Sequence, residues 1–204
     1  MVAGGFVFFM MPNDIFLETE RLFLRRFTLD DAPLLYELDS DPEVMRYISK
    51  GKPTPLEKYI HKVLPRWLRY YETSDHLGYW AAHERASGDF TGWFHLRPDR
   101  IEEEAMDLGY RLRRRFWGRG YATEGSRALV EKAFTEWDID RVVAHALTGN
   151  AASHRVMEKC GLRFEGRFIL PESMLPGWTV AERQAVKYGL SRAEFLGRTR
   201  LDSD

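Results

Sequence analysis

Between Arg111 and Gly125 the chain reads Arg-Leu-Arg-Arg-Arg-Phe-Trp-Gly-Arg-Gly-Tyr-Ala-Thr-Glu-Gly, a run built to hold an anion. Gly118 and Gly120 can take positive φ and bring bare backbone up to a ligand. A helix starting near Tyr121 would offer unpaired N–H groups and a partial positive charge, which together make a phosphate seat. Arg113, Arg114, Arg115 and Arg119 add full charges around it. The ligand that suits this chemistry is a pyrophosphate; the plainer alternative is a strand–turn–helix corner with solvated arginines. A Walker loop is excluded, because Tyr121-Ala122 follows the last glycine where Lys-Ser/Thr is needed. A dinucleotide fingerprint is excluded as well, because Thr123 stands where its third glycine belongs.

These residues also carry a resemblance. Arg115-Phe-Trp-Gly-Arg-Gly120 fits the R/Q-x-x-G-x-G/A acyl-CoA signature, and the chain resembles the GNAT superfamily of N-acetyltransferases. The wider run from Gly109 to Leu112 and from Trp117 to Glu124 looks like the RimJ/RimL-type branch, which acetylates ribosomal proteins. Thr19-Glu-Arg-Leu-Phe-Leu-Arg25 and Asn150-Ala-Ala-Ser-His-Arg-Val-Met-Glu-Lys-Cys-Gly161 agree with it, in family order. The resemblance implies an α/β (α+β) domain with the GNAT fold. That fold is a mixed central sheet of about seven strands, helices on both faces, and a splayed V between two central parallel strands. It implies acetyl-CoA as co-substrate, with the pantetheine arm on the main chain of Tyr110, Arg111 and Leu112. The pyrophosphate would lie on the N–H groups of Arg115, Phe116, Trp117, Gly118, Arg119, Gly120 and Tyr121, with Ala122 and Thr123 at the same helix start. The family's N-x-x-S pattern puts Asn150 against the cofactor arm and Ser153 near the thioester sulfur. From the residues alone, Asn150 is a helix N-cap and Ser153 an ordinary first-turn residue.

The implied reaction is attack of an amine on a thioester carbonyl through a tetrahedral intermediate, so the amine must lose a proton. Asp107 is the first candidate to receive it, because it lies on the strand leading to Gly109. Period-2 alternation puts it on one face with Gly109 and Arg111, while Met106, Leu108 and Tyr110 take the other. Glu84, His83 and His95 on the preceding hairpin are alternatives, and each also reads as a structural or surface residue. Ser153 could hydrogen-bond or protonate the leaving thiolate, acting through orientation and electrostatics. Cys160 ends a helix, where the dipole raises a thiol pKa, and this argues against an acyl-cysteine. The histidines show no metal-site spacing, so no metal is expected.

Several elements must position these groups. Alternation predicts a strand over Ile15 to Phe27. A helix from about Leu29 to Asp39, capped by Thr28, would bury Leu34, Leu35 and Leu38. Asp41-Pro42 caps a short helical turn. A helical stripe over Leu56 to Tyr71 is interrupted by Pro65, which predicts a kink or a break. Strands follow at Gly78–Glu84, Phe90–Leu96 and Ala105–Leu112, then a helix at Tyr121–Trp137 and a strand at Arg141–Leu147. A helix capped by Asn150 ends at Gly161, and strands Phe164–Leu170 and Ala185–Leu190 close the chain around the loop 171–178.

Composition sets the remaining bounds. A 204-residue chain is most simply one domain: here a GNAT domain over 14–204 preceded by an apolar extension, 1–13, outside the family pattern. That extension is too short to span a bilayer and lacks the basic start of a signal peptide, so no membrane association is expected. A net charge of -1 gives no support for nucleic-acid binding. A single cysteine excludes an internal disulfide and suits the cytoplasm. The expected partner is an amine acceptor, either a protein N-terminus or a small molecule, and the resemblance allows a homodimer. The competing function class is a GNAT-fold module that binds acyl-CoA without turnover.

Overall fold

The computed structural model describes residues 15–201, with side chains described to residue 198; the apolar extension lies outside the described residues. The first expected strand is two strands, β1 (Ile15–Glu18) and β2 (Leu22–Arg26), paired antiparallel. Thr19 turns the chain between them: its N–H donates to the Leu22 carbonyl at 2.9 Å, and its Oγ1 accepts from the Leu22 N–H at 3.0 Å. A single 3₁₀ turn, Leu29–Asp31, leads into α1 (Ala32–Asp39), which buries Leu35 and Leu38 and leaves Leu34 half-buried. Next come α2 (Pro42–Ser49), α3 (Leu56–Lys58) and α4 (Leu64–Thr73). A π turn over Tyr59–Val63 joins α3 to α4. Pro65 has no N–H for the helical ladder, and the widened turn ahead of it absorbs the misfit. That extra residue rotates the predicted stripe, so Tyr59, Leu64 and Trp67 are buried while Ile60 faces out.

The remaining elements are β3 (Gly78–Glu84), β4 (Phe90–Pro98), β5 (Met106–Leu112), α5 (Tyr121–Thr135), β6 (Arg141–Leu147), α6 (Ala151–Lys159), β7 (Arg163–Ile169), β8 (Gln184–Ser191) and α7 (Arg192–Leu201). Helix α7 is absent from the sequence reading, although Ser191 and Glu194 form a reciprocal capping box. The eight strands make one sheet in the order β1-β2-β3-β4-β5-β6-β8-β7, one strand more than expected because the first divides. Every pair is antiparallel except β5–β6.

The register sorts side chains onto two faces. Leu24, Trp80, Ala82, Phe94, Leu96, Leu108, Val142 and Ala144 join α5 and α6 in one core. Tyr79, Ala81 and Trp93 join α1, α2 and α4 in the other. The α/β architecture with helices on both faces is thus the expected GNAT arrangement.

Candidate active site

The site begins where the sheet comes apart. Strands β5 and β6 pair only at Met106↔Val142 and Asp107↔Val143, while β6 stays paired with β8 along its whole length. From Leu108 to Leu112 the β5 edge towards β6 therefore has no strand beside it, leaving peptide groups that can pair with an extended ligand. The predicted V is present.

Beyond β5 the chain makes a 3₁₀ turn, Arg114–Phe116, and the Trp117 indole donates to the Leu112 carbonyl at 2.8 Å. Gly118 and Gly120 have φ of 72° and 85°, the left-handed conformation that favours glycine, and α5 starts at the next residue. Glu124 on the first turn of α5 ties this loop to the N-terminal motif. It accepts from Arg21 N–H at 2.8 Å and Thr19 Oγ1 at 2.6 Å, while Arg21 Nη1 donates to the Arg119 carbonyl at 2.9 Å. Two sequence motifs a hundred residues apart are one buttress.

A cavity of about 430 Å³ lies along the free β5 edge and the glycine loop. Of the residues expected at the cofactor, Tyr110, Arg111, Leu112, Phe116, Trp117, Gly118, Gly120, Tyr121, Ala122, Thr123, Asn150 and Ser153 line it. Arg115 and Arg119 do not. Three of the arginines expected around the phosphate are engaged elsewhere: Arg113 with Glu37 at 2.7 Å, Arg115 with Asp89 at 3.1 Å, and Arg119 with Glu84 at 2.9 Å. The cations that do line the cavity are Arg46 of α2 and Arg155 and Lys159 of α6, besides Arg111. A signal for two of them was available: residues 152, 155, 156 and 159 share one helical face below the Asn150 cap. An unpaired strand edge, a glycine loop at a helix start and three cations fit acetyl-CoA.

A second cavity, about 250 Å³, lies between the arms of the V, against 107–110 of β5 and 144–147 of β6, and shares Tyr47, Ile48, Tyr110, Asn150, Ser153 and Val156 with the first. At this junction the Tyr110 hydroxyl lies 3.3 Å from Ser153 Oγ, and Asn150 Oδ1 accepts from the Ser153 N–H at 3.3 Å. Burial pushes the Tyr110 phenol up to about 12, so it stays protonated at neutral pH. Sequence reasoning gave Tyr110 only a main-chain role. The β7–β8 connection roofs this second cavity with Leu170, Met174 and Leu175. Lys50, just past the end of α2, reaches that connection, pairing with Glu182 at 2.7 Å and lying 5.0 Å from the Trp178 ring.

The floor of the second cavity is a buried polar network. Asp107 shares the face of Arg111, as alternation predicts, and is bound by the Arg97 guanidinium and by His95 Nε2 at 3.1 Å. Burial opposes its charge, but His95 and Arg97 hold the carboxyl below the usual carboxylate range. As an already satisfied ion, it is a poor receiver for a further proton. His145 Nε2 faces Asp99 Oδ2 at 3.2 Å. Burial works against the Asp99 charge too, yet His145 and the Glu102 N–H bring it to about 2. Donor atoms of Asp99, Asp107 and His145 lie within 4.8 Å of one another, a proximity no sequence spacing announced. Arg97 already supplies positive charge there. Behind this floor, fully buried Asp39 takes Arg111 Nη1 at 2.6 Å, Thr54 at 2.8 Å and the Tyr59 hydroxyl.

The other candidates lie away from both cavities. Glu84 is held by Arg119 and Tyr121, and His83 Nδ1 lies 3.0 Å from the Gly88 carbonyl. Cys160 is buried, and burial raises its thiol to about 12, which matches its reading as an inert core residue.

Comparison with known proteins agrees with this geometry. Residues 21–163 match the acetyltransferase (GNAT) domain family. The chain is 34% identical over 189 residues to the FsC-acetyl coenzyme A-N(2)-transacetylase of Aspergillus fumigatus, covering 88% of this chain and 77% of that one. It is 35% identical over 150 residues to the uncharacterized protein YkkB of Bacillus subtilis, covering 72% and 85%. The fold is similar to the crystal structure of a GNAT-family acetyltransferase from Bacillus anthracis, with a TM-score of 0.68, 24% identity, and coverage of 87% and 98%. The chain belongs to the GNAT acetyltransferases. It is an acetyl-CoA-dependent acetyltransferase that transfers the acetyl group to an amine.

Proposed function

We propose that the acceptor is a primary amine, attacking acetyl-CoA directly while both are bound. The observation that carries this is the junction of two cavities at Tyr110, Asn150 and Ser153, one suited to the cofactor and the other placed to receive the acceptor. Bringing the two reactants together across such a junction lowers the entropic part of the barrier. In this reading the pantetheine arm pairs with the β5 edge at Tyr110, Arg111 and Leu112, and the pyrophosphate takes N–H groups between Phe116 and Tyr121. Arg46, Arg155 and Lys159 supply the positive charge. Ser153, backed by the Tyr110 hydroxyl, steadies the leaving thiolate.

The sequence motifs favour the RimJ/RimL-type branch, whose acceptors are protein N-termini. The lining of the second cavity favours a compact amine on an apolar body, because apolar side chains, among them Tyr47, Ile48, Trp93, Leu147, Met174 and Leu175, outweigh the polar ones in its wall. A hydrophobic N-terminal residue and an apolar small amine both meet that requirement; polyamines do not. The test is release of CoA thiol from acetyl-CoA against short peptides with free N-termini, apolar amines, polyamines and aminoglycosides. Release driven by the apolar amines or peptides supports the reading. Tight acetyl-CoA binding with no release from any amine would replace it with the non-catalytic binding module.

A further inference from the structure

We propose that His95 is the group that takes the proton from the acceptor amine, with Asp107 positioning its imidazole; this rests on the direct amine attack proposed above. Because an ionised carboxylate only accepts hydrogen bonds, the 3.1 Å contact to Asp107 makes Nε2 the protonated nitrogen and leaves the lone pair on Nδ1. That Nδ1 is buried and has no hydrogen-bond partner among the described residues. The ring lines the second cavity and only 8% of the residue is exposed.

The backbone makes a place for this ring. His95 sits opposite Gly109 across β4 and β5, two residues past the last paired rung of the V. A Cβ at position 109 would lie 2.4 Å from the imidazole, so only glycine admits it. Tyr79 meets it edge-on at 4.9 Å and Trp93 stacks at 5.6 Å, fixing its plane. The next residue after Gly109 is Tyr110, at the junction of the two cavities. The imidazole, opposite Gly109, therefore lines the acceptor cavity, while Tyr110 and Ser153 line both cavities where they join.

The charges around it suit a base. Burial draws His95 below its ordinary value against the pull of Asp107, so the ring is neutral and can accept at neutral pH. Arg97 keeps Asp107 ionised, and an imidazolium formed on Nδ1 would be countered through Nε2. The other charged or titratable groups on this face include Tyr79 of β3, Arg66 and Tyr70 of α4, Arg100 beyond β4, Arg111 with Asp39 of α1, and His145 of β6 with Asp99. In the step, the amine nitrogen bonds to the acetyl carbon and one N–H proton passes to Nδ1. The carbon–sulfur bond breaks, its electron pair leaves on sulfur, and the sulfur takes a proton through the Ser153 or Tyr110 hydroxyl. The imidazolium then returns its proton to solvent and the hydroxyl is reprotonated, leaving N-acetylamine and free CoA thiol.

The experiment compares the full-length wild type with His95→Gln and His145→Gln. It uses benzylamine and phenylalanine amide, whose amines differ in basicity, from about pH 5.5 to 9. Calorimetry gives the acetyl-CoA Kd, and NMR of ¹⁵N-histidine-labelled wild type gives the imidazole titrations. His95→Gln should lower kcat about 100-fold or more while leaving the acetyl-CoA Kd within about twofold. The acidic limb of kcat/KM that stays put when the acceptor changes should coincide with the His95 titration and vanish in His95→Gln. Turnover within about threefold of wild type, or loss of the limb in His145→Gln instead, overturns the proposal. If His95→Gln fails to fold, the match between limb and titration in wild type decides alone, and a mismatch is fatal. Wild type inactive with every amine, yet binding acetyl-CoA, defeats the acetyl-transfer reading and takes this proposal with it.

Discussion

The two cavities are built on opposite plans. The cofactor side is made of main chain, glycines and exposed cations at the ends of flexible side chains. The acceptor side rests on buried, mutually paired side chains: Asp107 with Arg97 and His95, Asp99 with His145, and behind them Asp39 with Arg111, which also lines the cofactor cavity. A backbone site costs little to assemble because the fold makes it anyway. A buried ionic floor is expensive, and each member depends on its partner. Substitutions on one side should register as lost affinity, and on the other as lost stability.

The largest effect is expected from Asp39→Ala. Removing a fully buried partner strands Arg111, and the cost should be about 3 kcal/mol or more, read from urea midpoints. A loss below about 1 kcal/mol would make this floor no more than a surface pair.

Acid should act on the same side through His95, and away from both cavities through His83. Burial holds His83 and His95 below the ordinary imidazole value, so the unfolded chain binds protons that the folded one refuses. Their contribution is full above about pH 6.5 and is lost as pH falls towards the folded values. Asp107, which is lowered, and Asp99, at about 2, give stability lost at still lower pH, as they protonate in the folded state. Urea midpoints should therefore drop between about pH 7 and 5 and drop again below about 4. A flat profile down to about pH 5 would count against both buried histidines.

Gly120→Val probes the opposite plan. A β-branched residue at positive φ carries roughly 1–3 kcal/mol of strain, and its side chain obstructs the loop. The acetyl-CoA Kd measured by calorimetry should rise about tenfold to a hundredfold. Unchanged cofactor affinity would remove the glycine loop from the site. Smallest of all, Arg155→Ala and Lys159→Ala should each weaken acetyl-CoA only a few-fold at low salt, an effect that fades as salt is added. A large, salt-independent loss would show these cations to be as tightly built in as the acceptor floor.

Legibility in the sequence followed the same division. The glycine loop, the Asn150 cap and the strand before them were readable because local backbone chemistry dictates them, and each lies in one contiguous stretch. The buried floor was not: Arg97 and Asp107, His145 and Asp99, and Arg111 and Asp39 are joined across strands and layers. Alternation gave the correct face for Asp107 but could not supply its partners. The arginines of the glycine run misled for a related reason, since charge at the right place in sequence says nothing about which way a long side chain leaves the backbone. The turn at Thr19 and the Ser191–Glu194 box were local signals that could have been read.

The unpaired edge of β5 has one more consequence, in evolutionary terms. A ligand read by peptide groups is blind to the identity of the side chains that carry them. Side chains along that edge can serve other ends, as Tyr110 and Arg111 do, without altering how the backbone holds the acetyl donor, while every change to the acceptor floor alters what fits. A lineage built this way can keep one donor constant and change its acceptors, as a tool with a fixed handle accepts new heads.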